Sequence, residues 1–222
     1  MICVLGPTAS GKTKYAVELA DRIGGEIISA DSRQVYVGMD IGTGKDICDY
    51  TIEGRVIPYH LIDIVPAGEK YNVFRYVQDF HKVYNEIVSR GKTPILCGGT
   101  GLYIDAVTRG YQMAEVPENR ELREELEQKS LEELREILES MKRMHNTSDV
   151  DSKKRAIRAI EIELYQKENG VDAQSYPPID TKFIGISVSR EERNRRIDKR
   201  LDQRLQEGMI DEVRKLLDLG IA

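Results

Sequence analysis

The chain has few of the residues that covalent cross-links and metal centres require. Its three cysteines, Cys3, Cys48 and Cys97, are odd in number and far apart, which argues against a disulfide framework or a zinc site. Cys3 and Cys97 fall in apolar runs that read as buried strands, so plain thiols are expected. The three histidines, His60, His81 and His145, are scattered and form no ligand pattern. No apolar run is long enough to span a membrane. Met1-Ile2-Cys3-Val4-Leu5 leads straight into a motif without the features of a signal peptide, so a cytoplasmic protein without membrane attachment is expected. Internal repeats and low-complexity tracts are missing as well.

What is present is an ordinary soluble composition. The 222 residues are 40% hydrophobic and 32% charged, enough for one α/β domain with an insertion or for two small domains. A net charge of −5 speaks against nonspecific nucleic-acid binding. The charge is uneven, however. Lys153, Lys154, Arg155 and Arg158 cluster, as do the arginines and lysine of residues 190–204, while residues 118–139 are mostly acidic. Local basic stripes of this kind suit a structured polyanion.

Apolar runs at residues 2–5, 26–29, 60–65 and 93–97 read as strands. Between them lie helical patterns: 12–22, closed by Gly24-Gly25; 72–90, capped by Asn72 and closed by Gly91; and one starting at Leu102. Strands alternating with helices predict an α/β fold with a parallel sheet covered on both faces. From 118 to 168 only helical patterns occur, with Ser130 and Glu133 forming a capping box. Strand character returns at 182–187, followed by a long helix capped by Ser189 with Glu192. The reading is a catalytic core at 1–110, an all-helical insertion at 111–180, and a return to the core at 181–222.

Gly6-Pro7-Thr8-Ala9-Ser10-Gly11-Lys12-Thr13 fits G-x-x-x-x-G-K-[ST] between a predicted strand and helix, the context that gives the motif meaning. The core is therefore expected to be P-loop NTPase-like. The glycines let backbone N–H groups curl around phosphate oxygens, Lys12 adds positive charge, and Thr13 offers its hydroxyl to Mg2+. A nucleotide hydrolase also carries an apolar strand ending in an acid that holds Mg2+. Here the best such strand ends in Gly98-Gly99-Thr100, and Asp63 is the alternative acid. The loop is thus suited to gripping a diphosphate as a leaving group.

Asp31-Ser32-Arg33-Gln34 follows the second strand. Taken alone, Asp31 reads first as a turn or cap residue, and Gln34 as an exposed amide. Thr100 reads as a helix cap. Arg196, Arg200 and Arg204 recur every four residues, with Ile197, Leu201 and Leu205 on the next stripe. This predicts an apolar face against the core beside a basic one, or else a solvated face of ion pairs. Gly42-Thr43-Gly44-Lys45 lacks the spacing of a second phosphate loop and is expected at most to shape the pocket mouth.

In order along the chain, GPTASGKT (from Gly6), DSRQVY (from Asp31), GMDIGTGK (from Gly38), HLIDI (from His60), GGTGLY (from Gly98), R-x-x-R-A-I-E (from Arg155) and SREERNRRIDKR (from Ser189) resemble the tRNA dimethylallyltransferase (isopentenyltransferase) family. The resemblance spans essentially the whole chain. It implies transfer of a dimethylallyl group from dimethylallyl diphosphate to the N6 amine of the adenosine adjacent to the tRNA anticodon, with Mg2+ as cofactor, in a monomer. It implies further that Asp31 is the general base and that Lys12 and Thr100 belong to the catalytic group. Gly6 to Thr13, Thr8 among them, would hold the donor with Arg200, and Thr13 would hold the metal. Asp31, Ser32, Arg33, Gln34, Thr100, Arg123, Lys154, Arg155 and Arg158 would contact tRNA. Family members usually continue for several helices beyond the last one here, from which weakened tRNA binding is expected. Two other functions compete: an adenylate isopentenyltransferase acting on a free adenine nucleotide, which would not need the basic helical insertion, and a P-loop small-molecule kinase or nucleotide-binding module, which would turn over ATP.

Overall fold

The computed structural model describes residues 1–141, 148–170 and 176–221, so His145 lies outside the described residues. The chain forms two compact units, Met1–Tyr111 with Tyr176–Ala222, and Gln112–Ser175.

The first unit opens with β1 (Ile2–Leu5), α1 (Lys12–Ile23) and β2 (Glu26–Ala30). Short strands β3 (Tyr36–Val37), β4 (Thr51–Ile52), β5 (Arg55–Val56), β6 (Tyr59–His60) and β7 (Val65–Pro66) follow, then α2 (Val73–Ser89), β8 (Pro94–Gly98) and α3 (Gly101–Arg109). The second unit holds α4 (Arg120–Glu127), α5 (Leu131–Met141) and α6 (Lys153–Asn169), and the chain returns to the first with β9 (Lys182–Gly185), α7 (Arg190–Gln206) and α8 (Met209–Asp218).

The main sheet is parallel throughout, in the order β6-β2-β8-β1-β9. Every residue of β2 and β8 is buried, as expected of apolar strands covered on both faces. The register pairs Leu5 with Gly98 and Gly185, and Ala30 with Gly98. The strands therefore end level, and the loops that leave them emerge together at the carboxyl edge, where open α/β sheets place ligands.

Two expectations are corrected. The segment 60–65 is not one strand. β6 stops at His60, Leu61 and Asp63 take left-handed φ values of 61° and 55°, and the chain bonds to the segment after β2: Asp63 N–H donates to Gln34 O (3.0 Å) and Ile64 N–H to Val35 O (2.8 Å). Leu61, Ile62 and Val65 are nonetheless buried, so the apolar run marks burial without marking a strand. The second correction concerns α7. Ile197, Leu201 and Leu205 are 38%, 47% and 44% exposed and do not pack on the core. The helix turns its arginine stripe toward the loops at the sheet edge, and none of its own residues is buried. The helical stretch also breaks at Gly208 (φ 97°), which caps the separate α8.

Caps expected from sequence are present. Asn72 accepts from Arg75 N–H (3.0 Å), Ser189 from Glu192 N–H (3.2 Å), and Ser130 and Glu133 exchange bonds of 2.7 and 3.2 Å. The helical unit closes over a core of Leu126, Leu134, Leu138, Ile157 and Ile160.

Gly98 is the tightest point of the sheet. A Cβ there would stand 2.3 Å from the Ala30 carbonyl oxygen and 2.4 Å from its carbon. Gly98→Ala must push β8 from β2 and should cost about 1–3 kcal/mol. A urea unfolding midpoint that does not fall would show that the strands have room to spare.

Candidate active site

The phosphate loop leaves β1 and turns back against the end of β9. A Cβ on Gly6 would meet Ile186 O at 2.6 Å and Ser10 Oγ at 2.8 Å, so the loop can lie this close only with glycine. Ala9 (φ 61°) and Gly11 (φ 89°) are both left-handed. Gly11 is the N-cap of α1 and has no side chain to cap it, which leaves the first-turn N–H groups for an anion. The Lys12 ammonium lies over the loop, 3.4 Å from Pro7 O.

The second wall comes from the ends of β2 and β8. Thr100 N–H donates to Ala30 O (3.0 Å), and Thr100 Oγ1 accepts the Ser32 N–H (3.0 Å). Thr100 occupies the N-cap position of α3, yet its hydroxyl makes no bond to that helix and holds the 31–34 segment instead. Asp31 Oδ1 accepts the Arg33 N–H (2.9 Å), so the turn role read from sequence is real. Asp31 also lines the same cavity as the phosphate loop. Gln34 Nε2 donates to Gly44 O (3.0 Å), which ties this wall to the 38–45 loop.

The third wall is α7. Arg196 Nη1 reaches Ala9 O (3.5 Å), and Arg200 pairs with Asp46 and donates to Gly44 O (3.3 Å). Arg204 Nη2 is buried without a hydrogen-bond partner among the described residues, 3.9 Å from the Asp46 carboxylate. Burial, and then the charge of Arg200, lower the Arg204 pKa. The cavity is open to solvent, measures about 720 Å³ and is bounded by all three walls. Of the residues predicted from sequence, it brings together most of the phosphate loop, Asp31 to Gln34, Thr100 and Arg200. Ser10 is buried behind the loop and does not line it.

Oxygen donors of the kind a hard cation takes line this cavity, the Thr13 hydroxyl and the carboxylates of Asp31, Asp46 and Asp49, without converging on one point. Asp63 is not among them. Its carboxylate pairs with the buried Lys45 ammonium. Among the described residues no three His, Cys, Asp or Glu side chains cluster as a ready-made metal site.

Arg123, Lys154, Arg155 and Arg158 belong to the helical unit. Lys154 and Arg155 are exposed, the latter 3.1 Å from Asp151. Arg123 and Arg158 both bind Glu161, which is 2% exposed. Arg123 Nε and Nη2 lie 2.9 and 2.6 Å from its oxygens, and the Asn119 N–H adds a bond of 2.7 Å. Burial alone would raise the Glu161 pKa, but Arg123, the Asn119 N–H and Arg158 together bring it down to about 2.

Sequence reasoning missed Asp46, Asp49 and Tyr50, which line the cavity, and Glu212, which holds the 38–45 loop. No spacing rule marks them. The four-residue recurrence of arginines did signal Arg196 and Arg204.

Residues 34–222 match the IPP transferase family, and residues 1–54 the isopentenyl transferase family. The chain is similar to tRNA dimethylallyltransferase 1 of Porphyromonas gingivalis, 58% identical over 221 residues that cover 100% of this chain and 73% of the relative. It is equally similar to tRNA dimethylallyltransferase 1 of Parabacteroides distasonis, at 58% identity with 100% and 72% covered. Among solved structures, the full-length tRNA isopentenylpyrophosphate transferase of Bacillus halodurans matches with a TM-score of 0.67 at 36% identity, covering 99% of this chain and 70% of that one.

Glu161→Gln removes the counter-charge of two arginines and should destabilise the helical unit by about 3 kcal/mol. Because the folded pKa of about 2 lies below the ordinary 4.5, the stabilisation is full above pH 4.5 and is lost as pH falls toward 2. Thermal melts of wild type and variant at pH 7 and pH 3 measure this. A gap that does not narrow at pH 3 contradicts the assignment.

Proposed function

The chain belongs to the IPP transferase family, and from that premise we propose that it transfers a dimethylallyl group from dimethylallyl diphosphate to the N6 amine of the adenosine adjacent to the anticodon of a tRNA. The observation that carries this reading is the single cavity bounded by both the phosphate loop and the Asp31–Thr100 wall. A diphosphate gripped by the loop would share its cavity with the Asp31 carboxylate, which could then face the incoming amine.

The chemistry needs both walls. An exocyclic adenine amine is a weak nucleophile. As its nitrogen bonds to the allylic carbon, the C–O bond to the diphosphate breaks and its electron pair leaves with the diphosphate oxygen. The N6 proton passes to the Asp31 carboxylate. Thr100 holds the 31–34 turn that carries Asp31. Lys12, the first-turn N–H groups of α1 and Arg200 meet the charge that grows on the diphosphate. The Thr13 hydroxyl would hold Mg2+, which would supply further neutralisation of that charge. The adenine must leave its stack to enter the cavity, and a loop base is extruded at lower cost than a paired one. Ser32, Arg33 and Gln34 would meet that base and its neighbours.

Lys154 and Arg155 are exposed cations on the helical unit and would take tRNA phosphates. Arg123 and Arg158 would reach the tRNA only with the N–H groups that Glu161 leaves over. The protein would work as a cytoplasmic monomer; among the described residues no helix is long and apolar enough to cross a membrane.

The test is incubation with Mg2+, labelled dimethylallyl diphosphate and either unmodified tRNA or AMP. Label in tRNA is expected. Label in AMP alone would make the protein an adenylate isopentenyltransferase. ATP hydrolysis without transfer would make it a nucleotide-using enzyme of another class. Asp31→Asn should slow transfer by about 10²–10⁴-fold with diphosphate affinity kept, and unchanged transfer would remove Asp31 as the base.

A further inference from the structure

Three consecutive backbone amides of the 38–45 loop point at one carboxylate. Glu212, in the first turn of α8, accepts the N–H groups of Asp40 and Ile41 on Oε2 (2.8 Å each) and that of Gly42 on Oε1 (2.9 Å). Successive N–H groups in a tight turn form an anion-binding concavity, and bonds to an ionised acceptor are the strong ones. Glu212 thus anchors the loop from a point 170 residues further along the chain.

The same loop carries the acceptor that two cavity residues share. Gly44 O receives both Gln34 Nε2 (3.0 Å) and Arg200 Nη2 (3.3 Å). A Cβ on Gly44 would stand 2.0 Å from Arg204 Nη2 and 2.6 Å from Arg200 Nη2, so both guanidiniums press on this glycine. On the far side, the buried Lys45 ammonium holds Asp40 Oδ1 (2.8 Å), Asp63 and Tyr36 O. The loop is therefore gripped by α8 through Glu212 and by α7 through Arg200 and Arg204, and it fixes where the Gln34 amide and the Arg200 guanidinium sit. Asp31 and Thr100 are held by bonds that do not pass through it.

We propose that Glu212 is a positioning residue for prenyl transfer, which sets Gln34 and Arg200 on the cavity by clamping the amides of Asp40, Ile41 and Gly42. The proposal rests on the transfer activity argued above, but its structural half is measurable without it. Glu212→Gln keeps the size of the side chain and must turn an NH2 group toward backbone donors, so at least one bond is lost. Asp211→Asn removes a charge from the neighbouring position, whose carboxylate pairs with Arg214, and serves as the control.

In Glu212→Gln, amide hydrogen exchange at residues 40–42 should accelerate at least tenfold, while the amides of the phosphate loop exchange as in wild type. KM for tRNA and for dimethylallyl diphosphate should rise by roughly ten-fold or more, as expected for the loss of a charge-assisted hydrogen bond. Turnover at saturation should fall too, because Arg200 meets the charge that grows on the diphosphate, but by less than in Asp31→Asn, since Asp31 stays in place. Glu212→Asp, which keeps the charge, should recover part of the KM loss. Asp211→Asn should leave both readouts unchanged. Unaltered exchange at residues 40–42 would overturn the clamp. Accelerated exchange with unaltered KM would overturn the positioning role, as would a parallel fall in kcat and melting temperature. If wild type itself transfers nothing to tRNA, the functional reading fails, while the exchange result still decides whether Glu212 holds the loop.

Discussion

The close approach of Gly98 to the Ala30 carbonyl determines where the site can form. With no side chain at position 98, β8 lies against the last residue of β2, and the next residues can use the same carbonyl: Thr100 N–H donates to Ala30 O. That bond brings the Thr100 hydroxyl within 3.0 Å of the Ser32 amide. The level register of β1, β2 and β8 then sets the 31–34 turn beside the phosphate loop. A bulkier residue at 98 would separate the two walls before any charged group came into play. The glycine pair before Thr100 therefore serves geometry first. It also occupies the place where a hydrolase would carry its magnesium acid.

Once the backbone is set, the positive charge of the cavity needs support of its own. Lys12, Arg196, Arg200 and Arg204 all face one space. Like charges this close repel, and the lowered pKa of Arg204 reflects burial together with the charge of Arg200. Asp46 is the acid that both Arg200 and Arg204 approach, and the Gly44 carbonyl adds a dipole for Arg200. An incoming diphosphate would complete what Asp46 only begins. A polyphosphate ligand would balance this cation-rich wall, and much of its binding energy would come from relieving that repulsion.

The sheet, the phosphate loop and most helix caps were legible in the sequence because each rests on local rules. Apolar runs bury, Gly-x-x-x-x-Gly-Lys-Thr curls, and Asn72, Ser130 and Ser189 cap the helices that follow them. Two readings failed where local pattern and tertiary context disagree. Leu61, Ile62 and Val65 are apolar because they are buried, but the N–H groups of residues 63–65 bond to residues 34 and 35 and not to a neighbouring strand of the main sheet. Ile197, Leu201 and Leu205 form a proper stripe, yet the arginine stripe beside them is the one facing the loops at the sheet edge. Asp46 and Glu212 were invisible for a different reason. Their partners lie 154 and about 170 residues away, and nothing in a single sequence encodes a pairing over that distance.

The arginines of the helical unit show what composition alone confuses. Lys154, Arg155 and Arg158 sit within five positions of one another and read as a single basic patch. In the folded unit they divide. Arg158, with Arg123, is committed to a buried glutamate, and removing that glutamate would strand two guanidiniums. Lys154 and Arg155 point outward, and the ion pair of Arg155 with Asp151 is exposed and easily exchanged. A polyanion competing for the first pair must displace a carboxylate with its pKa held near 2, whereas at the second it displaces water and a weak surface pair. Any electrostatic attraction of this unit for a nucleic acid would therefore be carried by fewer cations than the sequence displays, and the others keep the helices in the geometry that presents them.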